Sequence, residues 1–141
     1  MPAPRNPTTR RLAEVAVGDA LPPLEIPLTA TVIVAGAIAS RDYQDVHHDR
    51  DLAVQRGSQD IFMNILTTNG YVGRYVTDWA GPEALLRSVD IRLGAPNYPG
   101  DTMTLRGSVR SKADGLVQIE VVGANRLGHH VTGTVTLMLP D

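Results

Sequence analysis

The sequence predicts an α+β domain, one long helix enclosed by an antiparallel sheet, and three observations carry that prediction. Residues 64 to 79 hold an extended run of apolar residues at helical spacing. Residues 85 to 139 alternate apolar and polar positions between clusters of turn-forming residues. Aromatic residues are scarce, with one Trp, one Phe and four Tyr, so the core must be built from Val, Leu, Ile and Ala, a composition suited to β-rich packing.

Taken in chain order, residues 1–16 open with MPAPRNPTTRR and carry no apolar core. They are expected to form a flexible tail, neither signal peptide nor anchor, ahead of a single domain over 17–141. Val17-Gly18-Asp19 and Leu21-Pro22-Pro23 read as a turn into a short edge strand over 24–28, where Pro27 is tolerated. Thr31 to Ile38 is β-branched first and small-residue-rich later, which predicts a strand running into a helical turn. Asp49 or Asp51 caps a short helix that reaches Arg56 and stops at Gly57.

Asn64 is the N-cap candidate for the long helix, in which Ile65, Leu66, Val72, Tyr75, Val76 and Trp79 recur on one side. Gly70 and Gly73 inside it each cost roughly 1 kcal/mol relative to Ala, and are expected to mark close contact with a neighbouring backbone. Gly81-Pro82 ends the helix. Strands follow at 85–93, 102–110, 116–126 and 131–139, with turns at 97–101, 112–115 and 127–129. The last three strands form a meander. His129 and His130 fall at a hairpin tip and are expected to be exposed. Together these elements give the hot-dog arrangement, a curved antiparallel sheet wrapped around one long central helix. Such a sheet leaves an open edge, so edge-to-edge pairing into a dimer is expected.

With 141 residues the chain has enough length for one domain with a real core. Its net charge of −2 argues against a nucleic acid or membrane surface held by charge. The absence of Cys removes disulfides, thiolate metal sites and thiol nucleophiles. No apolar run approaches the ~20 residues that a membrane span needs. A cytoplasmic location is expected.

The chemistry is concentrated in Ser40 to Ala53, SRDYQDVHHDRDLA, where Asp42 and His47 lie five residues apart in a polar segment. A carboxylate and an imidazole at this spacing can both reach one water and move its proton near neutral pH. Such a pair equally fits a purely structural role, capping turns and satisfying backbone donors. His48 is adjacent to His47 and projects elsewhere, so it is expected to be structural or solvent-facing. Neighbouring histidines rarely converge on one ion, and no metal is expected from His47, His48 and Asp49.

This segment resembles the hydratase signature of the MaoC-like, R-specific enoyl-CoA hydratases. Ser40, Asp42, Val46, His47 and Ala53 fall on its Ser, Asp, aliphatic, His and small positions, while Arg41, Gln44 and Asp45 replace its Gly, Asn and Pro. Pro99-Gly100-Asp101, entering a strand, matches as well. Within the family, RDYQDVHHDRD, GSQDIFMNILT, RYVTDWAGP and IRLGAPNY look like the small hot-dog subunit of the heteromeric hydratases that degrade steroid side chains in actinobacteria.

The resemblance implies hydration of an enoyl-CoA whose acyl group is a steroid with a three-carbon side chain, giving a tertiary β-hydroxyacyl-CoA. It makes Asp42 and His47 the catalytic pair and places the oxyanion donor at the main-chain N–H of Asn64, where the family has the Gly of a His-Gly pair. Ser40 either orients His47 or ends the preceding element. Coenzyme A belongs to the substrate, so no separate cofactor is implied. The implied partner is a second MaoC-like hot-dog subunit with an additional acyl-CoA-associated domain, in a dimer of heterodimers, with a retro-aldolase acting downstream. Three alternatives stand beside this reading: a medium-chain R-specific hydratase homodimer, a catalytically silent hot-dog half, and a hot-dog acyl-CoA thioesterase. The last normally relies on a carboxylate on the central helix, and none occurs between Asn64 and Thr77.

Overall fold

The computed structural model describes residues 7–141. In chain order the elements are β1 (Ala20–Pro27), α1 (Ala30–Ala39), α2 (Arg50–Gln55), α3 (Ile65–Ala80), β2 (Leu85–Leu93), β3 (Thr102–Ala113), β4 (Leu116–Asn125) and β5 (Gly128–Met138). The strands form one sheet in the order β1-β3-β4-β5-β2, antiparallel throughout. The meander β3–β4–β5 is its centre, and β1 and β2 are its edges. Pro22 and Pro23 sit at a register break in β1, where the missing N–H groups cost no ladder bond.

The long helix begins where its cap chemistry places it, with the Asn64 Oδ1 accepting the Thr67 N–H at 3.1 Å. Its apolar face, Val72, Tyr75, Val76 and Trp79, packs on buried Leu105, Ile119, Val121, Val135 and Leu137 of the sheet. The expected α+β architecture is therefore present, with α3 as the enclosed element. Among the described residues no helix is long and apolar enough to cross a membrane.

Four expectations need correction. The segment read as a strand at Thr31–Ile38 is α1. The Thr29 hydroxyl caps it by accepting the Val32 N–H at 3.0 Å, and Ile33 and Ala37 are fully buried. Tertiary burial of one helical face overrides the weak β preference of Thr31, Val32 and Ile33.

The flexible tail expected at 1–16 is also too long; residues 1–6 lie outside the described part, but the rest is tied down. Leu12 N–H bonds to Pro140 O at 2.8 Å, Arg10 N–H to Ala80 O at 2.9 Å, and Glu83 N–H to the Thr9 hydroxyl at 2.9 Å. Arg10 also donates to Trp79 O and stacks 4.8 Å from the centre of that indole ring. Gly81 makes this possible, since its φ is +100° and a Cβ there would strike the Thr9 backbone.

A Cβ added at Gly73 would meet only the Leu86 and Val89 side chains at ordinary distances, and one at Gly70 would meet nothing, so neither glycine serves a close backbone approach among the described residues. His130, expected at an exposed hairpin tip, is 2 % exposed because β5 starts at Gly128 and carries it inward. His129 remains exposed.

Candidate active site

The end of α1 places Asp42. Arg41 N–H bonds to Ile38 O at 3.0 Å and Asp42 N–H to Ala37 O at 2.9 Å, the paired bonds of a Schellman turn. That turn needs a left-handed residue at Arg41, whose φ is 56°. The family signature has Gly at this position, so the backbone conformation explains the family's choice, and arginine adopts it here at a conformational cost. Asp42 then folds back in a local turn, with Gln44 N–H donating to Oδ1 at 3.3 Å.

His47 closes a single 3-10 turn, Asp45–His47. Arg56 pairs with Asp45 at 2.7 Å and holds that turn to α2, whose own cap is Asp49 accepting from Leu52 N–H. The imidazole is buried, with 7 % of the side chain exposed. Its Nδ1 donates to Phe62 O at 2.7 Å, and the Phe62 ring meets it edge-on at 5.0 Å. A carbonyl only accepts, so the neutral ring carries its proton on Nδ1 and turns a bare Nε2 toward Asp42, 3.3 Å from Oδ2. The two side chains singled out in the sequence thus come together.

Asn64 joins them in a way the sequence did not disclose. Beyond capping α3, its side-chain amide donates to Asp42 Oδ2 at 3.1 Å and to the Ser40 hydroxyl at 2.9 Å. The Asn64 amide is the main reason the Asp42 carboxyl is held below its ordinary range; partial burial opposes this, and the Gln44 N–H assists. Asn64 keeps an ordinary extended conformation, φ −77° and ψ 159°, so the position does not require glycine. As the N-cap residue, its main-chain N–H lies outside the helix's own ladder. The Ser40 hydroxyl is bonded to Gly36 O, Ala37 O and the Asn64 amide, and not to His47. That hydroxyl donates to Gly36 O at 2.7 Å and supports Asn64, so Ser40 ends α1 and braces the amide. The signal for this brace was present as a short polar residue at a helix end facing an N-cap Asn, but only the packing of α1 on α3 joins them.

Asp42, His47, Phe62, Asn64, Leu93 and His130 are among the residues lining a cleft of about 450 Å³. A larger apolar groove of about 540 Å³ runs between α1 and α3 and borders this network at Ser40 and at Thr67, which donates to Asn64 Oδ1. It holds no acid–base pair, so the chemistry belongs to the smaller cleft. His48 is exposed. Among the described residues no three His, Cys, Asp or Glu side chains cluster as a metal site. Asp78, the acid at the far end of α3, pairs with Arg74 at 3.1 Å and stays out of the cleft.

A long helix enclosed by one antiparallel sheet defines the hot-dog fold, and the Asp42–His47 pair beside the helix N-terminus is its candidate site. No protein-family model matches the chain. It is 57 % identical over 125 residues, 89 % of this chain and 97 % of the relative, to the 3-oxo-4,17-pregnadiene-20-carboxyl-CoA hydratase beta subunit of Mycobacterium tuberculosis. It superposes on a chain of the ChsH1–ChsH2 complex from Mycobacterium tuberculosis with a TM-score of 0.87 and 56 % identity, covering 88 % of this chain and 98 % of that one. The R-hydratase PhaJ1 from Pseudomonas aeruginosa shares the fold at 20 % identity, with a TM-score of 0.84 over 93 % of this chain and 86 % of that one. The chain belongs to the family of the hydratase beta subunit, a MaoC-like branch of the hot-dog fold.

Proposed function

We propose that this chain is the catalytic subunit of an enoyl-CoA hydratase that adds water to a steroid thioester unsaturated next to a three-carbon side chain. The observation that carries the reading is the bare His47 Nε2 facing Asp42 Oδ2 at 3.3 Å. Two acceptors side by side are satisfied by one water donating an O–H to each, which leaves its oxygen lone pair for the β-carbon. Asn64 holds Asp42 ionised, which makes that carboxylate a poor proton acceptor. His47 therefore takes the proton as the hydroxyl joins the tertiary ring carbon, and the Asp42 carboxylate stabilises the imidazolium. Negative charge collects on the thioester oxygen, where the Asn64 main-chain N–H at the positive end of α3 receives it. Returning the proton from His47 to the α-carbon completes the addition, so one water enters and nothing leaves.

The product is a tertiary β-hydroxy thioester, the arrangement a retro-aldol cleavage consumes, so a retro-aldolase is the fitting next enzyme. The relative's substrate name and the presence of a similar chain in a two-component complex support both the steroid acyl group and a second hot-dog subunit. The edge strand β2 supports that partner too, since Leu85, Leu86 and Leu93 lie exposed along it. The assembly is a dimer of heterodimers whose other subunit bears an acyl-CoA-associated domain.

The test is incubation of this chain with its co-purified partner and the unsaturated steroid thioester. A mass gain of one water is expected, lost in His47→Ala while assembly persists. Full activity in that variant assigns the chemistry to the partner, and an active homodimer on short enoyl-CoAs assigns the chain to general hydration.

A further inference from the structure

His130 is 83 residues from His47 in the chain, yet it lines the same cleft. Its Nδ1 lies 2.6 Å from Ala95 O, and because that carbonyl only accepts, the neutral ring carries its proton there. Nε2 is then the acceptor for the Thr68 hydroxyl at 2.8 Å. Both ring nitrogens are engaged by the protein, so the side chain has no free atom for proton transfer. Burial pushes its pKa down, against the bond to Ala95, which agrees with a neutral ring.

The two bonds join three elements. Thr68 is fully buried in the first turn of α3, where its N–H bonds to Asn64 O at 3.3 Å. Ala95 lies just beyond β2, and this stretch is stitched to the start of β5 by Gly94 N–H to His130 O at 2.7 Å and Ala95 N–H to His129 O at 2.9 Å. One imidazole thereby fastens the helix end that carries Asn64 to the sheet wall opposite Asp42 and His47.

We propose that His130 is a positioning residue for hydration: through Thr68 it holds the first turn of α3, and with it the Asn64 main-chain N–H, at the depth where that donor meets the developing oxyanion. The proposal rests on the hydratase reading above. Displacement of an oxyanion donor acts on the transition state and leaves ground-state binding nearly unchanged, so the effect falls on kcat.

The test uses the assembled complex and the steroid thioester, after hydration by the unaltered complex has been measured. His130→Ala and Thr68→Val are each expected to lower kcat roughly 10- to 100-fold, with KM within about two-fold of the parent. The double variant is expected to be no worse than either single one, because both break the same link. His130→Gln retains an acceptor near the place of Nε2 and is expected to recover most of kcat. His130→Asn, which imitates only Nδ1, is not. Should His130→Ala fail to fold, Thr68→Val and the Gln and Asn pair still decide the matter. Loss of thermal stability with kcat intact, or equal rescue by Asn and Gln, overturns the positioning role alone. No hydration by the unaltered complex removes the underlying function as well.

Discussion

Replacing Asn64 with Gly separates the two duties assigned to this residue. Glycine keeps the main-chain N–H and caps a helix within a few tenths of a kcal/mol of asparagine. The variant loses the amide bond to Asp42 Oδ2 at 3.1 Å and that to Ser40 at 2.9 Å. A hydrogen bond to a charged group contributes about 1.5–3 kcal/mol, and the low end applies because the Asp42 side chain is 21 % exposed. Adding about 1 kcal/mol for the neutral bond to Ser40 gives an expected loss of stability of about 2–3 kcal/mol.

The kinetic effect is expected to be larger, since a carboxylate misplaced by about 1 Å costs up to roughly 100-fold in rate. The pH effect has a definite sign. Asp42 has a pKa below its ordinary value of 3.8, so its contribution to stability is present above that value and is lost as pH falls through the depressed one. Without Asn64 the carboxyl protonates at higher pH, and the loss of stability on acidification begins at higher pH. Hydration followed by the loss of enoyl-thioester absorbance across a pH series, with urea unfolding alongside, reads all three quantities. An unmoved low-pH stability loss together with parental kcat would refute the argument that the Asn64 side chain sets the state and place of Asp42.

Arg41→Gly relieves a left-handed residue and is expected to raise stability by about 0.5–1 kcal/mol net of chain entropy, read as a higher urea midpoint; a lower midpoint contradicts the Schellman account. Gly81→Ala forces a side chain into the Thr9 backbone at a φ of +100° and is expected to destabilise by more than the ~1–2 kcal/mol that this φ alone costs, against no more than that if the 8–16 segment is loosely held. For His130 the folded pKa is depressed, so its neutral-state contribution is complete above its ordinary value of 6.5 and declines as pH falls below it toward the folded one. Unfolding midpoints at pH 7.5 and pH 5 are expected to diverge in the parent and to converge in His130→Gln; parallel behaviour rejects a buried neutral ring.

Elements fixed by local chemistry were the legible ones. Asn64 and Gly81 bracket the long helix through a cap and a left-handed stop, and both signals lie within a turn of where they act. The strands from Leu85 onward announce themselves by alternation, although β3 runs on to Ala113 because Lys112 and Ala113 still pair with Val117 and Leu116. The failures all depend on contacts far along the chain. Thr31–Ile38 carries β-branched residues whose helical state is set by burial of Ile33 and Ala37. Thr9 and Arg10 are held by residues some 70 positions away. At the site, Asp42 and His47 were readable because five residues span their separation. The roles of Asn64 toward Asp42 and of His130 toward Thr68 require a folded chain to bring residues 22 and 62 positions apart into contact.

The gripping of α3 at its two ends has a mechanical consequence. Sixteen residues at ~1.5 Å each make a strut of about 24 Å, clamped by His130 and Asn64 at one end and by the Thr9–Arg10 strap at the other. A stiff strut cannot tilt at its tail without shifting its head. Alterations around Trp79, outside the cleft, are thus passed lengthwise to the helix head where Asn64 holds Asp42.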